Sequence, residues 1–297
     1  MTHKNFKIIH IFKIIRPHQW VKNVLVFTPL FMSHNFDFNN LILSTKAFII
    51  FSLIASSIYV INDIVDLKSD QNHPFKKYRP LAAKLITVNH CKILILILLA
   101  LVTVLLLNVN KEFIMIIISY FILSNLYTFF FKKIIIIDLL ILSLLYTSRI
   151  LGGGYIADTS TSLSLLLFSV FFFTSLAAVK RLIELVNIIK FKKKKIHGRE
   201  YTIKHKKMIY WIAILTGWIS ILVLIFHINS PVVIKQYSFP DILWIICFVM
   251  LFWISRIIYV SNKGQIKDDP IVYAISDKIS YLCLAIILFI FWLGVNI

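Results

Sequence analysis

Four oxygen-bearing side chains stand at helical spacing in one short stretch of the chain. They are Asn62, Asp63, Asp66 and Asp70. Intervals of three and four residues put all four on one face if the helix is continuous. Hard oxygen ligands suit Mg²⁺, which keeps several waters and typically joins carboxylates to substrate phosphates. Two basic residues just downstream, Arg79 and Lys84, would hold those phosphates, so the stretch predicts a Mg²⁺–diphosphate site.

The same stretch has a simpler interpretation as a charged loop. Three aspartates at the C-terminal end of a helix are electrostatically disfavoured, because that end carries partial negative charge. Nearby cations could neutralise them without any metal, and the candidates are Lys68, Lys76, Lys77 and Arg79. Carboxylates at a membrane helix end are functional candidates by default, which favours the metal site.

The elements that must position these residues are strongly apolar. The 297 residues are 59% hydrophobic and 15% charged, with a mean hydropathy of +0.86. A helix that crosses a bilayer needs about 20 apolar residues, and nine runs approach that length. They cover residues 20–34, 43–64, 92–108, 113–131, 134–151, 162–184, 209–228, 241–260 and 276–296. The composition excludes a soluble enzyme and predicts an all-α fold: one integral membrane domain over residues 1–297, with about nine transmembrane helices.

The charge balance predicts the orientation of these helices. The chain has 32 Lys and Arg against 13 Asp and Glu, a net charge of +19. Cytoplasmic loops collect basic residues, and a cytoplasmic N-terminus puts 28 of the 32 on the cytoplasmic side. The four others are Lys46, Lys111, Arg149 and Lys235. The surplus therefore predicts topology in a bacterial-type cell (inner) membrane, with the acidic stretch on the cytoplasmic side, and not a nucleic-acid partner.

The acidic stretch resembles a family signature. The pattern NDxxDxxxD at the end of the second apolar run is similar to the first motif of the UbiA-type intramembrane prenyltransferase superfamily, whose fold is a nine-helix bundle. Residues 77–83, KYRPLAA, resemble the segment that follows it in that family. Most members carry a second Asp-rich motif at the end of the sixth span. This chain has Lys180, Arg181 and Glu184 there.

Other segments resemble one branch of the superfamily, the decaprenyl-phosphate phosphoribosyltransferase-like proteins. Residues 16–23, RPHQWVKN, are similar to its RPxQWxKN start, and residues 180–185, KRLIEL, are similar to its KRxxEL. Further matches follow in order along the chain. They are Asp138, Arg149 with Gly152-Gly153, Arg199 with Tyr201, Asp269-Pro270, and Asp277-Lys278.

The resemblance implies a reaction and a set of site residues. The reaction is Mg²⁺-dependent transfer of 5-phosphoribosyl from phosphoribosyl diphosphate to a polyprenyl (decaprenyl-like) phosphate among membrane lipids, with release of diphosphate. It implies metal binding by Asp63, Asp66 and Asp70. The implied catalytic residues are Asp63, Asp66, Lys180 and Arg181. The implied substrate-binding residues are Gln19, Lys22, Asn23, Asn62, Arg79, Lys84, Glu184 and Tyr201.

Three other functions compete with this one. A UbiA-type enzyme that attaches a prenyl chain to an aromatic acceptor would bring a lipid diphosphate to the Mg²⁺, but the second Asp motif is missing. A transporter or lipid flippase predicts inverted repeats and polar residues near the bilayer midplane. The sequence has no clear repeat, although Arg149 has no assigned partner. A non-catalytic scaffold gives no reason for four ligands on one helix face.

Overall fold

The fold is predominantly helical in the part of the chain that the structure describes. The structure is a computed structural model, and it describes residues 8–34, 37–72, 76–159, 161–190, 196, 198–266 and 269–296. It is 83% helical, which confirms the predicted all-α class. The α-helices are α1 (Ile8–Ile15), α2 (Thr28–Ser33), α3 (Phe38–Val65), α4 (Leu67–Gln71), α5 (Val88–Leu105), α6 (Lys111–Phe129), α7 (Ile137–Ile156), α8 (Leu163–Lys190), α9 (Lys206–Ile228), α10 (Pro231–Gln236), α11 (Trp244–Asn262), α12 (Pro270–Ala274) and α13 (Lys278–Asn296).

Eight of these helices are long and apolar enough to cross a membrane. They are α3, α5, α6, α7, α8, α9, α11 and α13. Their apolar windows have mean hydropathies between 1.4 and 2.3, and the set fits a multi-pass membrane protein. Eight of the nine predicted runs thus coincide with long helices.

The ninth run, residues 20–34, takes a different form. It is divided between a 3₁₀-helix, Pro17–Phe27, and the short helix α2. Arg16, just before it, has a left-handed backbone with φ of 52°. Pro17 and Pro29 both lack the N–H that a continuous α-helix needs in its interior. Residues 8–34, called the N-terminal segment below, are therefore a broken helical path.

The contacts within the chain define two compact units. Unit 1 comprises residues 1–128 and 148–160, and unit 2 comprises residues 129–147 and 161–297. The boundary passes through α7. That the whole chain is a single domain stays a prediction.

Unit 1 is built around α3, which packs against α5, α1 and the 3₁₀-helix. Its core includes Ile14, Val60 and Leu81. The end of α7 lies very close to the 3₁₀-helix, because a Cβ on Gly153 would collide with the backbone carbonyl of Val26. Glycine permits this approach of two backbones, as small residues commonly do between membrane helices.

Unit 2 is built around α8, which runs along α9 and also contacts α11. The Ser175 hydroxyl donates a 2.6 Å hydrogen bond to the Ala213 carbonyl across α8 and α9. Gly217 faces Ser175 and Ile254, and a Cβ there would lie 3.0 Å from each of them. Small residues thus line this crossing and let the three helices approach closely.

Candidate metal and phosphate site

The acidic stretch keeps a helical course through the junction of α3 and α4. The Asp66 amide donates to the Asn62 carbonyl at 2.9 Å, and the Asp70 amide donates to the Asp66 carbonyl at 2.8 Å. The Asp63 and Asp70 side chains are each only 2% exposed. Two carboxylates are therefore buried at this helix end, where they need compensating positive charge.

Two arginines supply that charge. Arg79 Nη1 lies 3.2 Å from Asp63 Oδ1 and 2.5 Å from Asp70 Oδ2, so one guanidinium joins both carboxylates. Arg16 Nη2 lies 2.5 Å from the same Asp63 Oδ1. The arginines are more exposed than the aspartates, with side-chain exposures of 28% for Arg79 and 20% for Arg16. Of the cations predicted to neutralise the aspartates without a metal, Arg79 does contact Asp63 and Asp70. Arg16, which was not among those cations, contacts Asp63 as well.

Other oxygens of this cluster have no hydrogen-bond partner among the described residues. They are Asn62 Oδ1, Asp63 Oδ2 and Asp70 Oδ1, and all three are buried. Burying an unsatisfied acceptor costs about 1–3 kcal/mol, and more if it is charged. Buried polar atoms without a protein partner commonly contact an ion or an ordered water in native proteins. Amide and carboxylate oxygens are also the donor set that Mg²⁺ prefers.

The chemistry of these oxygens therefore fits a divalent ion, but not one held by protein carboxylates alone. Within the described ranges, no three His, Cys, Asp or Glu side chains are grouped closely enough to hold a metal ion. An ion here would need Asn62, water or substrate oxygens to complete its coordination. Mg²⁺ commonly binds in this way, through one or two carboxylates and the phosphates of its substrate.

A ladder of polar contacts fixes the N-terminal segment to α3 and so positions Arg16. Asn23 Nδ2 donates to Ser52 Oγ at 2.9 Å, and Trp20 Nε1 donates to Ser56 Oγ at 3.0 Å. Ser52, Ser56 and Asp63 stand at helical intervals along one face of α3. The ion pair of Arg16 with Asp63 is the last contact in this row.

Arg149 also has partners within unit 1. Its Nε donates to Asn23 Oδ1 at 2.7 Å, and its Nη2 donates to the Tyr120 hydroxyl at 2.7 Å. The guanidinium carbon lies 4.9 Å from the centre of the Tyr120 ring. Arg149 is buried, so its hydrogen bonds and cation–π contact offset the cost of burying its charge. This residue ties α6 and α7 to the N-terminal segment.

Unit 2 contains a separate charged network centred on Asp138. Arg181 Nε donates to Asp138 Oδ2 at 2.7 Å, and both side chains are completely buried. Arg199 Nη1 lies 3.3 Å from the same oxygen, and the Tyr201 hydroxyl donates to Asp138 Oδ1. Glu184 Oε2 lies 2.5 Å from Arg181 Nη1. Burial and the hydrogen bond to Asp138 raise the pKa of the Tyr201 hydroxyl, so it stays protonated.

Lys180 occupies a different position in the same unit. Its Nζ lies 3.1 Å from Asp269 Oδ2, and its side chain is 34% exposed. Both residues line a small cleft whose other walls include Tyr146, Leu176 and Pro270. Of the two adjacent cations in KRLIEL, Lys180 is thus accessible and Arg181 is not.

Comparison with known proteins agrees with this arrangement. The profile of the UbiA prenyltransferase family matches residues 24–234. This chain belongs to the UbiA prenyltransferase family. The family resemblance of the acidic stretch is thereby confirmed.

Three relatives of this UbiA protein cover most of its length. The uncharacterized protein y4nM of Sinorhizobium fredii is 34% identical over 275 residues, which are 92% of this chain and 53% of y4nM. The nodulation protein NoeC of Azorhizobium caulinodans is 31% identical over 269 residues, 91% of this chain and 88% of NoeC. The decaprenyl-phosphate phosphoribosyltransferase of Mycolicibacterium smegmatis is 28% identical over 291 residues, 95% of this chain and 89% of that enzyme. The chain therefore spans about half the length of y4nM.

Solved structures support the UbiA fold. A UbiA homolog from Archaeoglobus fulgidus bound to GPP and Mg²⁺ has a TM-score of 0.68 and 14% identity, and covers 95% of this chain and 99% of that one. A digeranylgeranylglyceryl phosphate synthase has a TM-score of 0.67 and 21% identity, and covers 96% of this chain and 97% of that one. At these identities the likeness concerns the fold alone.

The residues predicted to bind substrate differ in how accessible the UbiA fold leaves them. Lys84 is exposed and Gln19 is partly exposed. Lys22 and Asn23 are buried, and Asn23 is held between Ser52 and Arg149. Their contacts with substrate stay predictions.

Sequence reasoning did not identify two of the residues that organise these clusters. The sequence singles out Arg16 only as the first letter of RPxQWxKN, and Asp138 only as one of the further matches to the phosphoribosyltransferase-like branch. The membership of Arg16 in that motif, and the position of a lone carboxylate in the first turn of α7, were the available signals. Neither signal identifies the contact partner, which for Arg16 is Asp63, 47 positions away, and for Asp138 is Arg181, 43 positions away.

Proposed function

We propose that this UbiA protein transfers 5-phosphoribosyl from phosphoribosyl diphosphate to a polyprenyl phosphate. The observation that carries the proposal is the pairing of buried, unpartnered oxygens on Asn62, Asp63 and Asp70 with the arginines Arg16 and Arg79. The oxygens suit a divalent ion and the arginines suit a diphosphate. The similarity to a decaprenyl-phosphate phosphoribosyltransferase over 95% of the chain supports the same reaction.

The reaction needs positioning and charge stabilisation more than acid–base catalysis. A lipid phosphate oxygen attacks C1 of the ribose, the bond from C1 to the diphosphate breaks, and diphosphate leaves with the electron pair. Mg²⁺, when bound, neutralises charge on the leaving diphosphate. Asp63, Asp66 and Asp70 would hold the ion with Asn62, and Arg79 would bind the diphosphate. The attacking phosphate is already anionic, so no general base is required.

The remaining predicted residues divide into contacting and positioning groups. Gln19, Lys22, Asn23 and Lys84 are proposed to bind the sugar donor. In unit 2, Lys180 is the accessible cation and is proposed to bind a phosphate. Arg181, Glu184 and Tyr201 are engaged with one another or with Asp138, and we propose that they act by fixing the α8 end that carries Lys180.

The cellular setting is part of the proposal. The distribution of 28 of 32 basic residues supports a cytoplasmic N-terminus and an active site on the cytoplasmic face of a bacterial-type cell membrane. Phosphoribosyl diphosphate is a soluble, highly charged substrate, and this orientation gives it direct access from the cytoplasm. The lipid phosphate would enter from the bilayer.

A second function uses the same metal site with a different diphosphate. The A. fulgidus homolog was solved with GPP and Mg²⁺, so a prenyl diphosphate and an aromatic acceptor are the alternative substrates. The sequence KRLIEL in place of a second Asp-rich motif favours the phosphoribosyl donor, because Lys180 and Arg181 cannot chelate a second Mg²⁺.

A diphosphate-release assay separates the two functions. Purified protein in lipid nanodiscs receives Mg²⁺ with either phosphoribosyl diphosphate and decaprenyl phosphate, or a prenyl diphosphate and an aromatic acid. Release with the first pair, abolished by EDTA, supports the proposal. Release with the second pair alone contradicts it. The variant K13Q, which changes an exposed lysine of the N-terminal segment, should release diphosphate as the wild type does.

A further inference from the structure

We infer that Arg16 and Arg79 make the acidic site selective for a metal ion that binds together with its diphosphate, over the free ion. The inference rests on the proposed function and extends it. In the structure each arginine neutralises a carboxylate. On binding, the free carboxylate oxygens would hold the ion, and each guanidinium would bind the diphosphate with its remaining N–H groups.

The division of the carboxylate oxygens carries this inference. Asp63 Oδ1 contacts both guanidinium groups, and Asp70 Oδ2 contacts Arg79. The opposite oxygens, Asp63 Oδ2 and Asp70 Oδ1, are buried and have no hydrogen-bond partner within the described residues. Each carboxylate therefore has one oxygen committed to an arginine and one oxygen available to an ion.

The charges predict how a free ion and a metal–diphosphate complex would differ. A divalent ion on the available oxygens would stand close to two fixed positive charges, and their repulsion weakens its binding. An accompanying diphosphate removes this penalty, because each guanidinium gains an anionic partner that it can bind through two hydrogen bonds. The arginines are also the more exposed members of the cluster, so a diphosphate arriving from water meets them first.

Arg16 is held in place for this role by the rest of the N-terminal segment. Its left-handed backbone follows Ile15, whose carbonyl accepts a 2.8 Å hydrogen bond from the Ser56 hydroxyl. The guanidinium carbon lies 5.3 Å from the centre of the Tyr59 ring. Ser56, Tyr59 and Asp63 share one face of α3, so the arginine is fixed at its backbone, along its side chain and at its charged end.

The consequence is a positive coupling between the metal ion and the diphosphate. Each should tighten the binding of the other by the same factor, which for coupled sites is typically about 5- to 150-fold. Removing one arginine should have effects of opposite sign. It relieves repulsion of the free ion, which should bind about three- to tenfold more tightly, and it removes a diphosphate contact, so the coupling factor should fall.

Mn²⁺ binding followed by electron paramagnetic resonance tests this inference. The full-length protein in nanodiscs is titrated with Mn²⁺ alone and with Mn²⁺ plus inorganic pyrophosphate, at matched concentrations of free ion. The variants are R16Q, R16K and the control K13Q. R16K keeps the charge, so its affinity for the free ion should match the wild type while its coupling factor falls. Thermal unfolding of each variant confirms that it is folded.

The outcomes separate the inference from the proposed function. Tighter free-ion binding and weaker coupling in R16Q, with K13Q unchanged, support the inference. Two results would overturn the inference and leave the metal site in place. In both, the wild type shows coupling. In the first, R16Q binds the ion and pyrophosphate as K13Q does; in the second, R16Q binds the free ion more weakly than the wild type. A wild-type protein that binds Mn²⁺ under neither condition overturns both.

Discussion

Replacing Asp138 by asparagine should destabilise the protein strongly, because its carboxylate neutralises an arginine that is completely buried. Arg181 donates to Asp138 at 2.7 Å, and neither side chain is exposed. Removing one partner of a buried ion pair typically costs about 3–5 kcal/mol. Arg181 keeps Glu184 at 2.5 Å, so we expect the lower end of that range. At about 2–4 °C per kcal/mol for large chains, Tm should fall by about 6–12 °C.

The assay is thermal unfolding in detergent, followed by the loss of monodisperse protein on size exclusion. The control is D241N, which removes an exposed carboxylate and should leave Tm unchanged. Y201F removes the hydrogen bond to Asp138 and the hydroxyl that accepts from the Ile136 amide, each worth about 1 kcal/mol, and should lower Tm less. Because Tyr201 acts on Asp138, the effect of Y201F should shrink in the D138N background. A D138N protein that melts with the wild type would refute this account of the network.

Three further predictions concern other parts of the chain. D63N should reduce kcat/KM for diphosphate release by about a hundredfold or more, since charge neutralisation by a metal is worth several kcal/mol; unchanged turnover would remove Asp63 from the site. G153A should lower Tm more than G152A. The methyl group added at position 153 meets the backbone carbonyl of Val26, whereas the one added at position 152 meets the movable ring of Phe51. Equal melting temperatures would contradict the close approach of α7 to the 3₁₀-helix. Hydrogen bonds from Arg256 lower the pKa of Asp277 to about 2. The ionised carboxylate therefore stabilises the fold fully above its ordinary pKa near 4, and this stabilisation is lost as pH falls through 2. The Tm difference between wild type and D277N should be largest at neutral pH and narrow below pH 4.

Periodicity in the sequence was sufficient to predict the course of the acidic stretch. Intervals of three and four residues from Asn62 to Asp70 predicted a helix, and the backbone hydrogen bonds follow that course through Asp66. Eight of the nine apolar runs likewise coincide with long helices, because burial in lipid demands uninterrupted hydrophobic segments. Residue spacing and apolar runs both depend only on residues that are near one another in the sequence, and a helix is determined at that range.

The partners of the charged residues could not be predicted in this way. The contact of Arg16 with Asp63 crosses 47 positions and depends on how the N-terminal segment docks on α3. Arg149 had no evident partner in sequence, yet it meets Asn23 across 126 positions. Composition also made residues 20–34 look like a full span, whereas Pro17, Pro29 and the left-handed Arg16 break it. Such features follow from tertiary packing and backbone geometry, which hydropathy does not record.

The most direct test of the proposed reaction is mass spectrometry of its lipid product. Purified protein in nanodiscs is incubated with Mg²⁺, decaprenyl phosphate and phosphoribosyl diphosphate labelled with ¹³C in the ribose. If the proposed reaction occurs, a labelled phosphoribosyl lipid phosphate forms in step with diphosphate, and neither product forms in EDTA. Lipid phosphate that stays unlabelled, while the same protein joins a prenyl diphosphate to an aromatic acid, would contradict it.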